Sequence, residues 1–150
     1  MIRPDWFFDV EKEGDGIVDV TTHLVDLIQW EAFPEVILDT IDVQILTAKR
    51  WPTSLTLDEF SKVTGKTAFP EFLQKNLKNG NLEVFCNGEM NYTLKGKHAK
   101  VSVIWNFEAP EGAGDTHYSM MRGTKANLII RQGKEENFKP TLYVALLKGQ

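Results

Sequence analysis

The apolar residues change their period part-way along the chain, and that change restricts the fold more than any other feature. Across residues 17–33, Val20, Leu24, Leu27, Ile28 and Trp30 to Phe33 recur at about 3.6 residues, the spacing of one helix face. Pro34 ends that run. From Leu82 onward the pattern belongs to strands and turns. "LEVFCNGEMNYTLKGKHAKVSVIWNF" reads as three strands, with turns at Asn87-Gly88 and at Lys95-Gly96-Lys97. Val101, Val103, Trp105 and Phe107 form the alternating stripe of a sheet face. "HYSMMRGTKANLIIRQG" reads as a hairpin turning at Gly123, and "TLYVALL" as a last strand.

The first half fills in around the long helix. "PDWFFDV" reads as extended and "EKEGDG" as a polar turn, and residues 43–51 suit a strand. Thr56 as N-cap and Gly65 as stop bracket a short helix, and Pro70 and Gly80 bracket another helical stretch. Helices first and antiparallel strands after predict an α+β fold: an open, mostly antiparallel sheet with helices on one face. The strands of the second half are expected to form one sheet. No repeat or low-complexity linker interrupts the chain, so residues 1–150 read as a single domain.

Composition removes several classes of function. Apolar residues at 42% and charged residues at 25% are globular values. A net charge of −4 argues against a nucleic-acid footprint and gives no support to binding an anionic membrane. The single cysteine, Cys86, excludes an internal disulfide and a cysteine-based zinc site, and in "LEVFCNG" it reads as a small buried group rather than a nucleophile. No apolar run approaches the roughly 18 residues of a membrane span, and the start has no signal-peptide architecture. A cytoplasmic location is expected; a periplasmic one stays open should a leader belong to a preceding segment.

"GDGIVDVTTHLVDLIQW" (residues 14–30) carries the candidate chemistry. Asp19 and His23 stand four residues apart, so a helix projects them from one face. A carboxylate beside an imidazole favours the protonated ring and can fix its tautomer, the arrangement of a general base with an orienting acid. The same spacing also suits a surface ion pair or a capped core histidine.

This stretch resembles the signature that opens the C-terminal domain of the glucose-fructose oxidoreductase / inositol dehydrogenase / rhizopine catabolism family (Gfo/Idh/MocA). Gly14, Gly16, Asp19, His23, Asp26 and Trp30 match it in order, "RGTKANLII" resembles a later strand turn of that domain, and "PDWFFD" fits the segment leading in. The resemblance is closest to a subgroup described as oxidoreductases of unassigned substrate. It implies an N-terminal Rossmann domain binding NAD or NADP, and a C-terminal sheet domain that shapes a sugar or polyol pocket and supports oligomers. It makes His23 the acid/base at the oxidised carbinol and Asp19 its orienting partner or a ligand of a substrate hydroxyl.

Departures are visible too. No G-x-G-x-x-G follows a strand, "PEGAGDTH" lacks the helix a dinucleotide loop needs, and the family's Glu-Lys-Pro segment has no counterpart. Thr22 stands where many members have glycine. The chain therefore reads as the C-terminal substrate domain of a larger NAD(P)-dependent sugar or polyol oxidoreductase without its Rossmann half, inactive alone. The alternative is a non-catalytic sugar-binding or self-association module of the same fold. A Rossmann fingerprint in the reading frame upstream of Met1 would decide for the enzyme.

Three further residues are candidate substrate contacts. His117 follows the glycine-rich loop and reads as a substrate contact, with Asp115 or Tyr118, or as an exposed hairpin residue. Arg50 in "TAKRWP" reads as a clamp for a carboxylate or phosphate, or as a solvated strand end. Trp6, with Phe7 and Phe8, reads as a stacking face for a sugar, or as core or interface. His98 lies in a polar turn, and nothing in the spacing of His23, His98 and His117 suggests a metal site. An apolar sheet face would support a homo-oligomer.

Without a phosphate-binding turn at a helix N-terminus, the chain alone is expected not to bind NAD or NADP. Calorimetry with either dinucleotide is the check, and micromolar binding would overturn the expectation.

Overall fold

A computed structural model describes residues 2–147. The fold is α+β with antiparallel sheets and few helices, as the sequence predicts. The strands divide between two sheets, in two compact units, Met1–Phe107 and Glu108–Gln150. The expectation of one sheet for the second half is thereby corrected. Residues 104–116, with Pro110, Gly112 and Gly114, belong to neither sheet.

In the first unit the long strand β3 (Asn81–Leu94) is central. The strand β1 (Val43–Leu55) pairs along one side, and β2 (Leu77–Lys78) and β4 (Lys97–Val103) pair with successive parts of the other. A short helix α1 (Val10–Glu13) leads into α2 (Ile17–Ala32), which breaks at Phe33 before Pro34. The inner side of α2 sets Leu24, Val25 and Ile28 against buried Tyr92, Leu94 and Val101. The second buried cluster joins Phe8, Leu55, Phe60, Leu73 and Leu82. Its short helix α3 (Leu57–Thr64) is held by a capping box: Thr56 Oγ1 accepts from Glu59 N at 3.3 Å, and Glu59 Oε2 accepts from Thr56 N at 2.8 Å. Gly65, at φ 72°, ends it.

Several local expectations change in three dimensions. "PDWFFDV" is not extended: Asp5–Phe8 form a 3-10 turn that delivers Phe8 to the core. The stretch after Pro70 tightens to a 3-10 turn, Glu71–Asn76, before β2. The stripe from Val101 leaves the sheet after Val103, while Trp105 and Phe107 pack on the aromatic cluster.

Asn87-Gly88 is not a turn, and β3 runs straight through it. Asn87 is buried because its amide is spent across the fold. Its Nδ2 donates to Trp51 O at 3.2 Å and to Thr53 Oγ1 at 2.9 Å, and its Oδ1 accepts from Trp105 N at 2.7 Å. Gly88 is small because Ile17 of α2 occupies the place of a side chain there. The true turn is Lys95-Gly96, where both residues have positive φ (46° and 75°), as a tight hairpin requires.

The second unit is a three-stranded antiparallel sheet with β6 (Ala126–Gln132) between β5 (His117–Arg122) and β7 (Thr141–Leu146). Gly123 N donates to Ala126 O at 3.0 Å in the β5–β6 turn. Among the described residues of this unit none is fully buried.

Gly88→Ala is expected to lower stability by about 1–3 kcal/mol, because the new methyl collides with Ile17 and lies 3.1 Å from Lys49 O. Ile17→Ala in the same chain should recover part of that loss. Thermal unfolding of the two single variants and the double variant checks the coupling, and simple additivity would contradict it. Cys86 is buried, and desolvation pushes its thiol above the ordinary cysteine value. Less thiolate at a covered site means slow reaction with a disulfide reagent near pH 8. The rate should rise sharply in guanidinium, and equal rates would show that the thiol is reachable.

Candidate functional site

The site begins with the way α2 is fastened. Gly16 sits so close to β3 that an added Cβ would lie 3.1 Å from Cys86 Cβ, and Ile17 fills the space over Gly88. Arg50 stands opposite Gly88 in the β1–β3 register, and its guanidinium pairs with the Asp15 carboxylate and lies 4.8 Å from the Phe85 ring centroid. The first turn of the helix is thus tied to both long strands. Its first-turn carboxylate, Asp19, suits the positive end of the helix dipole.

Because Leu24, Val25 and Ile28 face the sheet, Asp19, Val20, His23, Leu27 and Trp30 point away from it. All five are exposed, Trp30 to 73%. Asp19 and His23 therefore sit one turn apart on an open helix flank. Among the described residues neither side chain has a hydrogen-bond or ion-pair partner, each other included.

A groove of about 430 Å³ runs along another flank of α2, lined by Ile17, Val18, Thr21, Thr22, Val25, Asp26, Gln29 and Met90. Asp26 of the signature belongs to its wall, whereas Asp19 and His23 do not line it. Thr22 Oγ1 donates back to Val18 O at 3.0 Å, the usual recourse of a helical threonine. Thr21 Oγ1 is buried with no hydrogen-bond partner among the described residues. Under the helix, Tyr92 OH is also buried with no hydrogen-bond partner among the described residues, and burial pushes its ionisation up.

The other sequence candidates belong to other elements. Arg50 is in the first unit, with its charge directed to Asp15. Trp6 remains 45% exposed, while Phe7 packs on the core and Phe8 enters it. His117 belongs to the second unit, where it lines a depression of about 260 Å³ with Arg131, Gln132, Gly133, Lys134, Glu135 and Glu136. His98 is exposed on β4. Among the described residues no three metal-ligating side chains converge, and no helix is long and apolar enough to cross a membrane. Sequence reading missed Asp15 and Asn87, the two polar residues that fix the local frame. Asn87 was disguised by the glycine after it.

The N-terminus of α2 does not fit the pyrophosphate of a dinucleotide. A pyrophosphate needs an open helix N-terminus after a strand. Here α1 precedes α2, Gly16 is closed against Cys86, and the carboxylates of Asp15 and Asp19 occupy the end that phosphate would approach.

Comparison with known proteins completes the picture. Among proteins of curated function none matches the chain. A crystal structure of a "putative oxidoreductase" from Parabacteroides merdae is similar at 55% identity with a TM-score of 0.95. The similarity covers 100% of this chain and 34% of that one, so the chain spans about a third of that protein's length. All of residues 1–150 match the family described as "putative oxidoreductase C terminal domain". The chain belongs to that family of oxidoreductase C-terminal domains.

Proposed function

We propose that the chain is the substrate-side domain of an NAD(P)-dependent oxidoreductase acting on a sugar or polyol, with His23 as acid/base and Asp19 as its orienting partner or a substrate ligand. The observation that carries this reading is the open flank of α2. A histidine and a carboxylate stand one turn apart, exposed and unengaged, on a helix whose first turn is fixed to the sheet. A histidine built into the core would instead be buried with its ring nitrogens hydrogen-bonded.

Oxidation of a carbinol removes a hydride from carbon and a proton from oxygen. NAD or NADP, the hydride acceptor in this reading, would be held by a Rossmann portion of a longer chain. The contribution of these residues is the proton: an imidazole nitrogen of His23 accepts it from the hydroxyl and returns it in the reverse direction. Asp19, one turn before it, can hold the ring or accept a hydrogen bond from a neighbouring hydroxyl. The exposed ring of Trp6 offers a stacking surface for a pyranose face. Arg50 acts through Asp15, as an anchor of the helix.

In the longer enzyme, His23→Ala should reduce kcat by roughly 10²–10⁴, the usual loss of a general acid/base. Its thermal unfolding should stay near that of the parent, because the side chain is exposed and without partners. Asp19→Asn should cost less turnover if the carboxylate only orients the ring. Full turnover in His23→Ala, or a protein that fails to fold, would return the pair to a structural role and favour a non-catalytic module.

A further inference from the structure

The groove beside α2 and the signature pair adjoin along one residue. Positions three and four apart are neighbours on a helix, so Asp26 stands next to both His23 and Thr22. Asp26 and Thr22 line the groove, while His23 lies on the open flank beyond them. The groove holds about 430 Å³, within the roughly 300–1,000 Å³ of small-molecule sites. Val18, Val25 and Met90 give it apolar surface, and Thr21, Asp26 and Gln29 give it polar atoms. Among the described residues neither the Asp26 carboxylate nor the Gln29 amide has a partner. Thr21 Oγ1 is buried there with its hydrogen bonding likewise unmet. Apolar surface beside unengaged acceptors and an amide suits a ring with carbon–hydrogen faces and hydroxyl edges.

Charge narrows the class further. α2 carries Asp19, Asp26 and Glu31 and neither lysine nor arginine. The cations of the adjoining strands are committed elsewhere: Arg50 to Asp15, and Lys49 and Lys100 to Glu89. A phosphate or carboxylate in the groove would therefore meet carboxylates and no free counter-charge in this unit.

We infer that this groove is a specificity subsite for an uncharged polyhydroxylated ring, with Asp26 accepting hydrogen bonds from its hydroxyls, and that it turns away phosphorylated and carboxylated sugars. With the reacting hydroxyl at His23, the remainder of the ring passes Asp26 and lies on the apolar surface of the groove. The inference rests on the reading of the Asp19–His23 flank as the reacting edge. It adds to that reading the charge class of the substrate and the residue that selects it.

The test is a nuclear magnetic resonance titration of the 150-residue chain. The uncharged probes are D-glucose, D-galactose and D-xylose; the anionic probes are glucose 6-phosphate and glucuronate. At least one uncharged ring should shift the amides of Thr21, Thr22, Asp26 and Gln29, with half-saturation in the millimolar range, about −4 kcal/mol of binding. The anionic rings should bind at least tenfold more weakly than glucose. Asp26→Asn should weaken the uncharged ring at least threefold. Asp26→Lys should remove the discrimination, so that glucose 6-phosphate binds at least as well as glucose; Asp26 is exposed, so both variants should keep the parent's far-ultraviolet spectrum. In the longer protein, Thr22→Cys should react with a maleimide, and the tightest uncharged ring should slow that reaction. Equal binding of charged and uncharged rings by the parent would overturn the inference. So would shifts confined to residues outside the groove, or no shift from any uncharged ring up to about 100 mM. A Thr22→Cys thiol that stays unreactive in the longer protein would also overturn it, by showing that the rest of the protein covers the groove. The titration reads binding without turnover, so a failure of the groove and a failure of His23 as acid/base are seen in separate experiments.

Discussion

The first turn of α2 on β3 is the contact on which the rest of the first unit depends. It is made by absence as much as by presence. Gly16 and Gly88 leave room for Cys86 and Ile17, so helix and strand approach more closely than two side-chain-bearing surfaces could. The Asp15–Arg50 pair then adds a lateral tie to β1. Once that end is fixed, the helical period decides the remainder. One side of α2 falls on Tyr92, Leu94 and Val101, and the other turns Asp19 and His23 outward. The same geometry that builds the core aims the candidate chemistry.

Asn87 does a related task for the strands. Its single amide binds two points on β1 and one on the segment after β4, and Thr53 Oγ1 adds a 2.8 Å bond to Trp105 O. This occurs where Pro52, which lacks a ladder donor, breaks the β1–β3 register. The side-chain bonds stand in where the backbone ladder is interrupted, and they direct Trp105 onto the aromatic cluster.

Local chemistry in the sequence was enough for some elements and silent about others. The bounds of α2 follow from its period and Pro34, α3 follows from the Thr56–Glu59 box and Gly65, and the turns at Gly96 and Gly123 follow from glycine placement. Asn87-Gly88 misled because its glycine answers to Ile17, far away along the chain, and local pattern cannot distinguish a glycine needed for φ from one needed for space. The division of the strands between two sheets was equally hidden, since alternation tells which residues share a face and not which strands pair. At the site, the common facing of Asp19 and His23 was legible from their spacing. The partner of Arg50 was not, because it requires β1 to lie beside the start of α2.

The unequal burial of the two units has a dynamic consequence. Backbone amides are guarded by the free energy needed to expose them, and that free energy comes mainly from covered apolar surface. β3 lies between strands, beneath a helix, with Tyr92 and Leu94 buried; β6 is flanked by strands, yet no described residue of its sheet is fully covered. Hydrogen exchange should therefore separate the chain into two tiers, with β5–β7 opening at a lower cost than β3 while both keep the same kind of ladder. One polypeptide thus contains a slow-breathing frame beneath the signature helix and a fast-breathing sheet whose persistence is governed by what lies against it.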